Sequence, residues 1–298
     1  MAKPKVIVVR VRGILERSGD IDPARLRRAY ERGIRALTGA ASLDEGLGRL
    51  FRPSDRVGLK INTIGGRKIS TRPEVALGLA AAFKGTGVPD KSILIWDRTN
   101  RELRDAGYAL SLGSSGVKIY GTDTDGAGYE DELYAKGNIG SLFASIQSRF
   151  ATASVSLALL KDHGLAGVTA GMKNYFGAIH NPNKYHDDHC DPFVAEVFAA
   201  PPVATKHRLT VLDALLVQYH RGPAYHAQWA DRAETLVFGT DPVATDAVGW
   251  RMIEALRAAH GLPTLAEEGR EPRYLATAER MGLGRGGSDA VEVVEEEA

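Results

Sequence analysis

The sequence predicts an α/β protein with a mostly parallel sheet and helices on both faces of that sheet. A functional site is expected at the carboxyl ends of the strands. Short runs of β-branched and other apolar residues alternate along the chain with segments whose apolar residues recur at helical spacing. Such alternation is typical of parallel sheets, because parallel strands are joined by helical crossovers. Polar side chains also follow several predicted strands directly, which places them where ligands bind in such sheets.

Each element has a local signal. A first helix is predicted to begin after Asp22, with Pro23 in its first turn, and to end at Gly39. The capping box SLDE at residues 42–45 begins a second helix. Further helices are predicted from Pro73, from about residue 100, and from residue 241 to about residue 260. Predicted strands are VIVVRVRG (6–13), RVGLKIN (56–62), SILIWD (92–97), VKIYGT (117–122), SVSLALLKDH (154–163), RLTVLDAL (208–215) and ETLVFGT (234–240).

The domain organisation is predicted to be simple. Residues 1–298 are expected to form one α/β domain, with a polar, glycine-containing insertion at residues 121–140. The last ten residues, DAVEVVEEEA, are either an edge strand or an acidic tail. A homo-oligomer is one of the states that the sequence leaves open.

Composition excludes several classes of partner. A formal net charge of +1 gives no field that would favour nucleic acid or an acidic membrane surface. No run is long enough to span a bilayer, and the first residues lack a signal peptide's apolar stretch, so a cytoplasmic location is expected. The single cysteine, Cys190, excludes an internal disulfide and an iron–sulfur cluster held by this chain alone. The expected partner is a small anionic molecule.

Titratable residues are concentrated in residues 161–192, KDHGLAGVTAGMKNYFGAIHNPNKYHDDHCDP, which contain four of the eight histidines. This segment follows a predicted strand, and polar residues follow other strands. Because the carboxyl ends of parallel strands meet at one end of a sheet, these side chains are expected to gather there. The expected members outside the segment are Lys60, Asn62 and Arg67, then Asp97 and Arg98, then Asp241 and Asp246.

The segment suggests metal binding. On a helix His186 and His189 would share a face, and with Asp188 they offer imidazole and carboxylate ligands for zinc, nickel or iron. An exposed polar loop is the alternative, since an isolated H-x-x-H is a weak signal.

The glycine-containing turn suggests a cofactor site. Gly167 and Gly171 would let the backbone approach an anionic or flat ligand closely, with Asn174 beside it. Lys173 follows the turn and has three alternative roles: phosphate partner, Schiff-base former or covalent tether.

Four segments together resemble the landmarks of the domain-of-unknown-function family DUF 362: RVGLKINTIGG, TRPEVALGLAAAFK, AGVTAGMKNYFGAIH and VFGTDPVATDAVGWRM. They extend over most of the chain. Many members of that family carry a ferredoxin-like cysteine module. One cysteine cannot supply it, so no accessory ferredoxin module is expected here.

A more distant resemblance is to the lactate racemase family, at His163 in KDHGLAG, Lys173 in AGMKN and His189 in HDDHCD. This resemblance implies that Lys173 tethers a nickel-bearing pyridinium pincer cofactor, that His189 ligates the metal and that His163 transfers a proton. The racemases have a second catalytic histidine where this chain has Asp97 and Arg98. Racemisation needs a proton acceptor on each face of the substrate, so Asp97 would have to serve as the second.

The leading hypothesis is a metal- or cofactor-dependent enzyme, an isomerase or an oxidoreductase, acting on a small anionic or carboxylate substrate. His163 would transfer protons near the metal, Lys173 would hold a cofactor or phosphate, and Asp97 would be a further catalytic residue. The residues predicted to bind substrate are Lys60, Asn62, Arg67 and Arg98. Two alternatives remain: a non-catalytic metal- or cofactor-binding protein, and a metal-free enzyme for a phosphorylated substrate.

Overall fold

A computed structural model describes residues 2–16 and 18–298 of the chain. Its strands are β1 (Lys5–Arg10), β2 (Val57–Lys60), β3 (Ile93–Trp96), β4 (Lys118–Ile119), β5 (Tyr134–Lys136), β6 (Ile139–Ser141), β7 (Ala153–His163), β8 (Gly167–Thr169), β9 (His207–Gln218), β10 (Ala230–Asp231), β11 (Thr235–Gly239) and β12 (Glu292–Glu297). Its α-helices are α1 (Pro23–Thr38), α2 (Leu43–Leu50), α3 (Pro73–Ala82), α4 (Asn100–Asp105), α5 (Gly171–Asn174), α6 (Phe193–Ala199), α7 (Pro201–Ala204), α8 (Pro242–Ala259) and α9 (Tyr274–Arg280).

One large mixed sheet organises the protein, with strand order β12-β1-β11-β9-β7-β2-β3-β4. The run from β9 to β4 is parallel throughout, and β12 is parallel to β1. Strand β11 is antiparallel to both of its neighbours. The predicted α/β fold with a mostly parallel sheet is therefore confirmed, and one reversed strand separates β1 and β12 from the parallel run.

Apolar side chains cover both faces of this sheet. In β1, Val6 and Val8 belong to one buried cluster while Ile7 and Val9 belong to the other, as the two-residue period of a strand requires. Helices α1, α3 and α4 supply apolar residues to the second cluster, and α6, α8 and α9 supply them to the first. The helices therefore lie on both faces, as predicted.

The predicted helix ends are confirmed at α1 and α8. The Asp22 carboxylate accepts hydrogen bonds from Ala24 N at 2.8 Å and Arg25 N at 3.1 Å, and Gly39 ends α1 with a φ of +70°. The Asp241 carboxylate accepts from Ala244 N at 2.8 Å at the start of α8.

The expectation that Asp241 joins the site is wrong, because β11 runs antiparallel to β9. Its last residue, Gly239, pairs with Thr210 near the beginning of β9. Residue 241 therefore lies at the end of the sheet opposite to His163, the last residue of β7.

The C-terminal segment is an edge strand rather than a free tail. Strand β12 pairs with β1, and its glutamates form salt bridges with basic residues of β1, α1 and the loop after β1. These pairs are Lys5–Glu292, Arg10–Glu295, Arg12–Glu297 and Arg32–Glu296. At residues 121–140, β5 pairs with β6 apart from the large sheet, and the predicted insertion stays a prediction. None of the helices formed by the described residues has the length and apolarity needed to cross a membrane.

Candidate active site

A cavity of about 260 Å³ lies at the carboxyl ends of β2, β3 and β7. Most of the predicted site residues line it, as the strand directions require. The titratable and charged side chains at the cavity are Lys60, Asp97, Arg98, Glu102, Lys161, His163, Lys173 and His186; Asn62 and Asn174 also line it.

Lys60 and Asp97 form a buried ion pair in the cavity wall. The Lys60 ammonium donates to Asp97 Oδ1 at 2.6 Å, to Ile61 O at 2.7 Å and to Asn174 Oδ1 at 3.2 Å, which uses all three of its protons. The other Asp97 oxygen accepts from the N–H and the hydroxyl of Thr63, each at 2.8 Å. Both side chains are thus committed to internal partners, in contrast to the predicted substrate-binding role of Lys60 and catalytic role of Asp97.

A glycine makes room for this pair. A Cβ atom at Gly177 would lie 2.6 Å from Lys60 Nζ and 3.0 Å from Asp97 Oδ1. Because the pair is buried and its atoms are held by several hydrogen bonds, a side chain at residue 177 would displace it. The backbone therefore approaches the ion pair closely only because residue 177 is a glycine.

Lys161 is a buried cation with no carboxylate partner among the described residues. It lies in β7 and is 1% exposed, and its ammonium donates to Ile69 O at 3.2 Å and Pro223 O at 3.4 Å. Burial lowers the pKa of Lys161 from 10.5 to about 8. An ammonium with a free proton at a cavity is a natural partner for a bound anion.

His163 is a neutral hydrogen-bond donor to the cavity. Its Nδ1 accepts from Leu165 N at 3.2 Å and Ala166 N at 3.1 Å, so the ring proton resides on Nε2. Burial, with Lys173 and His186 nearby, lowers the pKa of His163 from 6.5 to about 2. The imidazole therefore stays uncharged through the physiological range.

His186 has the opposite polarity to His163, because it directs a lone pair towards Lys173. The Nδ1 of His186 donates to Pro182 O at 2.9 Å, so its Nε2 carries a lone pair, and this atom lies 3.2 Å from Lys173 Nζ. The Lys173 ammonium also lies 4.1 Å from the centre of the Phe176 ring. Burial lowers the pKa of Lys173 from 10.5 to about 8. His186 is thus placed to accept a proton.

The chain positions Lys173 through a short reversal after β7. Strand β8 pairs back along β7, and α5 then begins at Gly171. The Asp246 carboxylate, from α8, accepts hydrogen bonds from Gly171 N at 2.8 Å and Met172 N at 2.9 Å. A cap from a distant helix therefore fixes the turn that carries Lys173.

We expect Asp246→Asn to destabilise the protein by about 1–3 kcal/mol and to weaken ligand binding in the cavity. An asparagine amide nitrogen cannot accept the second backbone hydrogen bond, and a buried N–H without an acceptor costs this amount. Burial raises the pKa of Asp246 to about 7, so urea unfolding is best measured at pH 8, where the carboxylate is mostly ionised. Asp241→Asn is the matched control: its amide oxygen can still cap α8, but its nitrogen cannot accept the hydrogen bond that Arg285 N donates to the carboxylate at 3.1 Å, so stability should fall while binding is unchanged. Equal loss of binding in both variants would contradict the positioning role.

Several predicted residues lie outside the cavity lining. Arg67 is exposed on the loop after β2. Gly167 has a φ of +77°, and a Cβ atom there would lie 2.3 Å from Arg270 O, so it serves a tight turn. A Cβ atom at Gly171 would lie 2.4 Å from Thr210 Cγ2. The two glycines thus permit close backbone packing, and Gly171 gives its N–H to Asp246 rather than to a cofactor.

The predicted metal ligands are not brought together. Residues 188–190 have φ values of +47°, +58° and +62°, so the segment does not form the right-handed helix that would align His186 with His189. Asp188 is exposed beside Arg273, and the free nitrogen of His186 faces the Lys173 cation. Across residues 2–16 and 18–298 no three His, Cys, Asp or Glu side chains are grouped to hold a metal ion. These residues do not fit a shared metal; bound metal and a tether at Lys173 stay predictions.

The sequence reasoning missed Lys161 and Glu102. Lys161 interrupts the apolar run of β7 two residues before His163, so the two share a face of the strand, and this was an available signal. Glu102 lies in the first turn of α4, and its buried Oε2 has no hydrogen-bond partner. It is the carboxylate at the cavity that has no basic partner among the described residues.

The fold and the cavity define an α/β protein with a predominantly cationic site at the carboxyl ends of parallel strands. The family model "Domain of unknown function (DUF362)" matches residues 57–251, and the chain belongs to this family. A comparison with curated proteins finds no match. A crystal structure of a protein from Thermotoga maritima is similar with a TM-score of 0.42 and 8% identity, over 81% of this chain and 60% of that one. The chain thus spans less than two thirds of that protein's length.

Proposed function

We propose that the protein is an enzyme that binds a small anionic substrate, a carboxylate or phosphate compound, in this cavity and transfers a proton on it. The observation that carries the proposal is that Arg98, Lys161 and Lys173 converge on one cavity. Among the residues that the structure describes, no carboxylate forms a salt bridge with any of the three. Bringing like charges together in a buried place is unfavourable, and a bound anion would relieve it.

The remaining charges leave the cavity cationic. Lys60 is neutralised by Asp97, and Glu102 is a single carboxylate against three cations. The guanidinium of Arg98 can bind a carboxylate or phosphate through two parallel hydrogen bonds. The volume of about 260 Å³ suits a ligand of metabolite size rather than a large cofactor.

Two histidines with opposite hydrogen-bond polarity support proton transfer. His163 presents an N–H to the cavity, suited to an oxygen that gains negative charge during the reaction. His186 presents a lone pair next to Lys173, suited to accept a proton. The cavity thus holds a proton donor and a proton acceptor side by side, which is the arrangement that proton transfer requires.

The test of anion binding is calorimetric titration with oxalate and with inorganic phosphate at pH 7. We expect Arg98→Met to weaken binding at least tenfold, since a hydrogen bond to a charged group contributes about 1.5–3 kcal/mol. Arg67→Met is the matched control, because Arg67 was predicted to bind substrate but lies outside the cavity lining. The affinity of this variant for both anions should equal that of the wild type. Absence of binding of both anions to the wild-type chain would refute the proposal.

We further expect anion affinity to fall as the pH rises above about 8. Lys161 and Lys173 attract an anion only when protonated, and burial lowers the pKa of each to about 8. Affinity should therefore be constant below that pH and fall by up to about tenfold per unit for each lysine above it. Oxalate titrations from pH 7 to 9.5 test this, and a flat profile would contradict it.

The metal and cofactor predictions are tested separately. Elemental analysis of protein purified without a histidine tag or chelator measures bound nickel, zinc or iron. Intact mass measures any group tethered to Lys173, with Lys173→Ala as the control.

A further inference from the structure

We infer that Lys173 is a nucleophile that forms an imine with the carbonyl group of a small oxo-acid held in the cavity. The inference rests on the proposed anion-binding function and adds a substrate class, 2-oxo-acids, and a covalent step. It is carried by the contact between the Lys173 ammonium and an unprotonated nitrogen of His186, 3.2 Å away.

The contact supplies what an attacking amine needs, an acceptor for its proton. Because Pro182 O can only accept, His186 must donate through Nδ1 and keep its lone pair on Nε2, next to Lys173. His186 is half-buried, so a proton that it takes can pass to solvent. No described carboxylate pairs with Lys173 to hold it as ammonium, and burial lowers its pKa to about 8, so free amine is present near neutral pH.

The other two lysines of the cavity lack this arrangement. Lys60 is held as an ammonium by Asp97 at 2.6 Å. Lys161 donates to two backbone carbonyl oxygens, which can accept protons in hydrogen bonds but cannot remove one at neutral pH. The nucleophile is therefore assigned to Lys173, while Lys161 keeps its charge for the anionic group.

The remaining groups fit the two ends of a 2-oxo-acid. Lys161 and Arg98 are the cations for its carboxylate. His163 offers an Nε2–H to the carbonyl oxygen, and its ring stacks with that of His186 at a centroid distance of 5.7 Å. Donor and proton acceptor thus lie side by side at the lysine, on the same cavity.

The step balances without an oxidant or reductant. The Lys173 ammonium loses a proton to His186, and the amine adds to the carbonyl carbon while His163 stabilises the oxygen. The adduct passes one proton from its nitrogen to its oxygen, which gives a neutral carbinolamine with one N–H and one hydroxyl. The hydroxyl then takes the proton held by His186 and leaves as water, and the nitrogen keeps its remaining proton. An oxo-acid and a lysine ammonium therefore give a protonated imine and one water.

The test is reductive trapping on the full chain with pyruvate and, separately, glyoxylate, using sodium borohydride and peptide mass analysis. We expect one carboxyethyl group per chain from pyruvate and one carboxymethyl group from glyoxylate, both on Lys173. Labelling should require borohydride and be suppressed by oxalate, and at saturating oxo-acid it should accelerate as the pH rises from 6 towards about 8.

Three variants make the result specific. Lys173→Arg should lose the label. Lys184→Arg, which changes an exposed lysine close to His186 in the chain, should keep it. His186→Phe should lower the rate of labelling at least tenfold. Label spread equally over surface lysines, or no label on Lys173 from either acid while oxalate still binds, would overturn the inference. Failure of oxalate to bind at all would instead refute the proposed anion-binding function. Loss of the label with oxalate binding intact would refute only the imine.

Discussion

Lys161→Met is expected to stabilise the protein while abolishing most of its affinity for anions. The wild-type ammonium is 1% exposed and forms no salt bridge with the described residues, and burial lowers its pKa from 10.5 to about 8. At about 1.4 kcal/mol per pKa unit this shift corresponds to about 3 kcal/mol. Loss of the hydrogen bonds to Ile69 O and Pro223 O offsets part of it, so the free energy of unfolding should rise by on the order of 1–3 kcal/mol. Methionine fills nearly the same volume as the lysine stem and leaves little cavity.

The pH dependence of the free energy of unfolding is a second test of the buried Lys161 charge. Between pH 8 and 10.5 the unfolded chain holds the Lys161 proton and the folded chain has released it, so wild-type stability should rise with pH. Lys173, with the same shift, adds a similar rise. Urea unfolding from pH 7 to 10.5 should therefore show a shallower rise in Lys161→Met than in the wild type.

Lys136→Met, at an exposed lysine of β5, is the control and should change neither stability nor oxalate affinity. A destabilised Lys161→Met protein would mean that the two carbonyl contacts outweigh the burial of the charge. Unchanged oxalate affinity would remove Lys161 from the anion site. Gain of stability together with loss of binding is the expected pattern for a residue that serves function at the expense of stability.

Lys60→Met is expected to destabilise the protein by about 3–5 kcal/mol, because it leaves the Asp97 carboxylate buried without its counter-charge. Asp97 is 4% exposed, and its Oδ1 loses the 2.6 Å contact with the ammonium. Urea unfolding of the single variant measures the loss.

The double variant Lys60→Met/Asp97→Asn separates the cost of the unpaired charge from the cost of lost packing. It should be more stable than Lys60→Met alone, since asparagine removes the unpaired charge and its amide oxygen can still accept a hydrogen bond from Thr63. If the second substitution lowers stability further, the loss in Lys60→Met comes from packing and not from charge.

The regular elements were predictable because their signals are local. Caps such as Asp22 and Asp241, a proline in the first turn and a glycine at the end specify a helix within a few residues of chain. Fully buried strands such as β7 appear as apolar runs in any parallel sheet. The gathering of Arg98 and His163 followed from strand direction, and Lys173 and His186 were expected beside them because they lie on the segment that leaves β7.

What the sequence could not predict depends on direction and on contacts between distant residues. Nothing local to β11 records that it runs against β9, so Asp241 was expected at the wrong end of the sheet. The left-handed run at residues 188–190 is unfavourable for residues other than glycine and has no propensity signal. The pairing of Lys60 with Asp97 joins residues 37 apart in the chain, so their commitment to each other appears only in three dimensions.

The two outer strands of the sheet decide how copies of the chain could meet. The outer strand β12 presents glutamates at four of its six positions, and the opposite outer strand, β4, is two residues long. A strand from another molecule would meet carboxylates on one side and almost no free backbone on the other. Self-association by extension of the large sheet is therefore disfavoured at both margins.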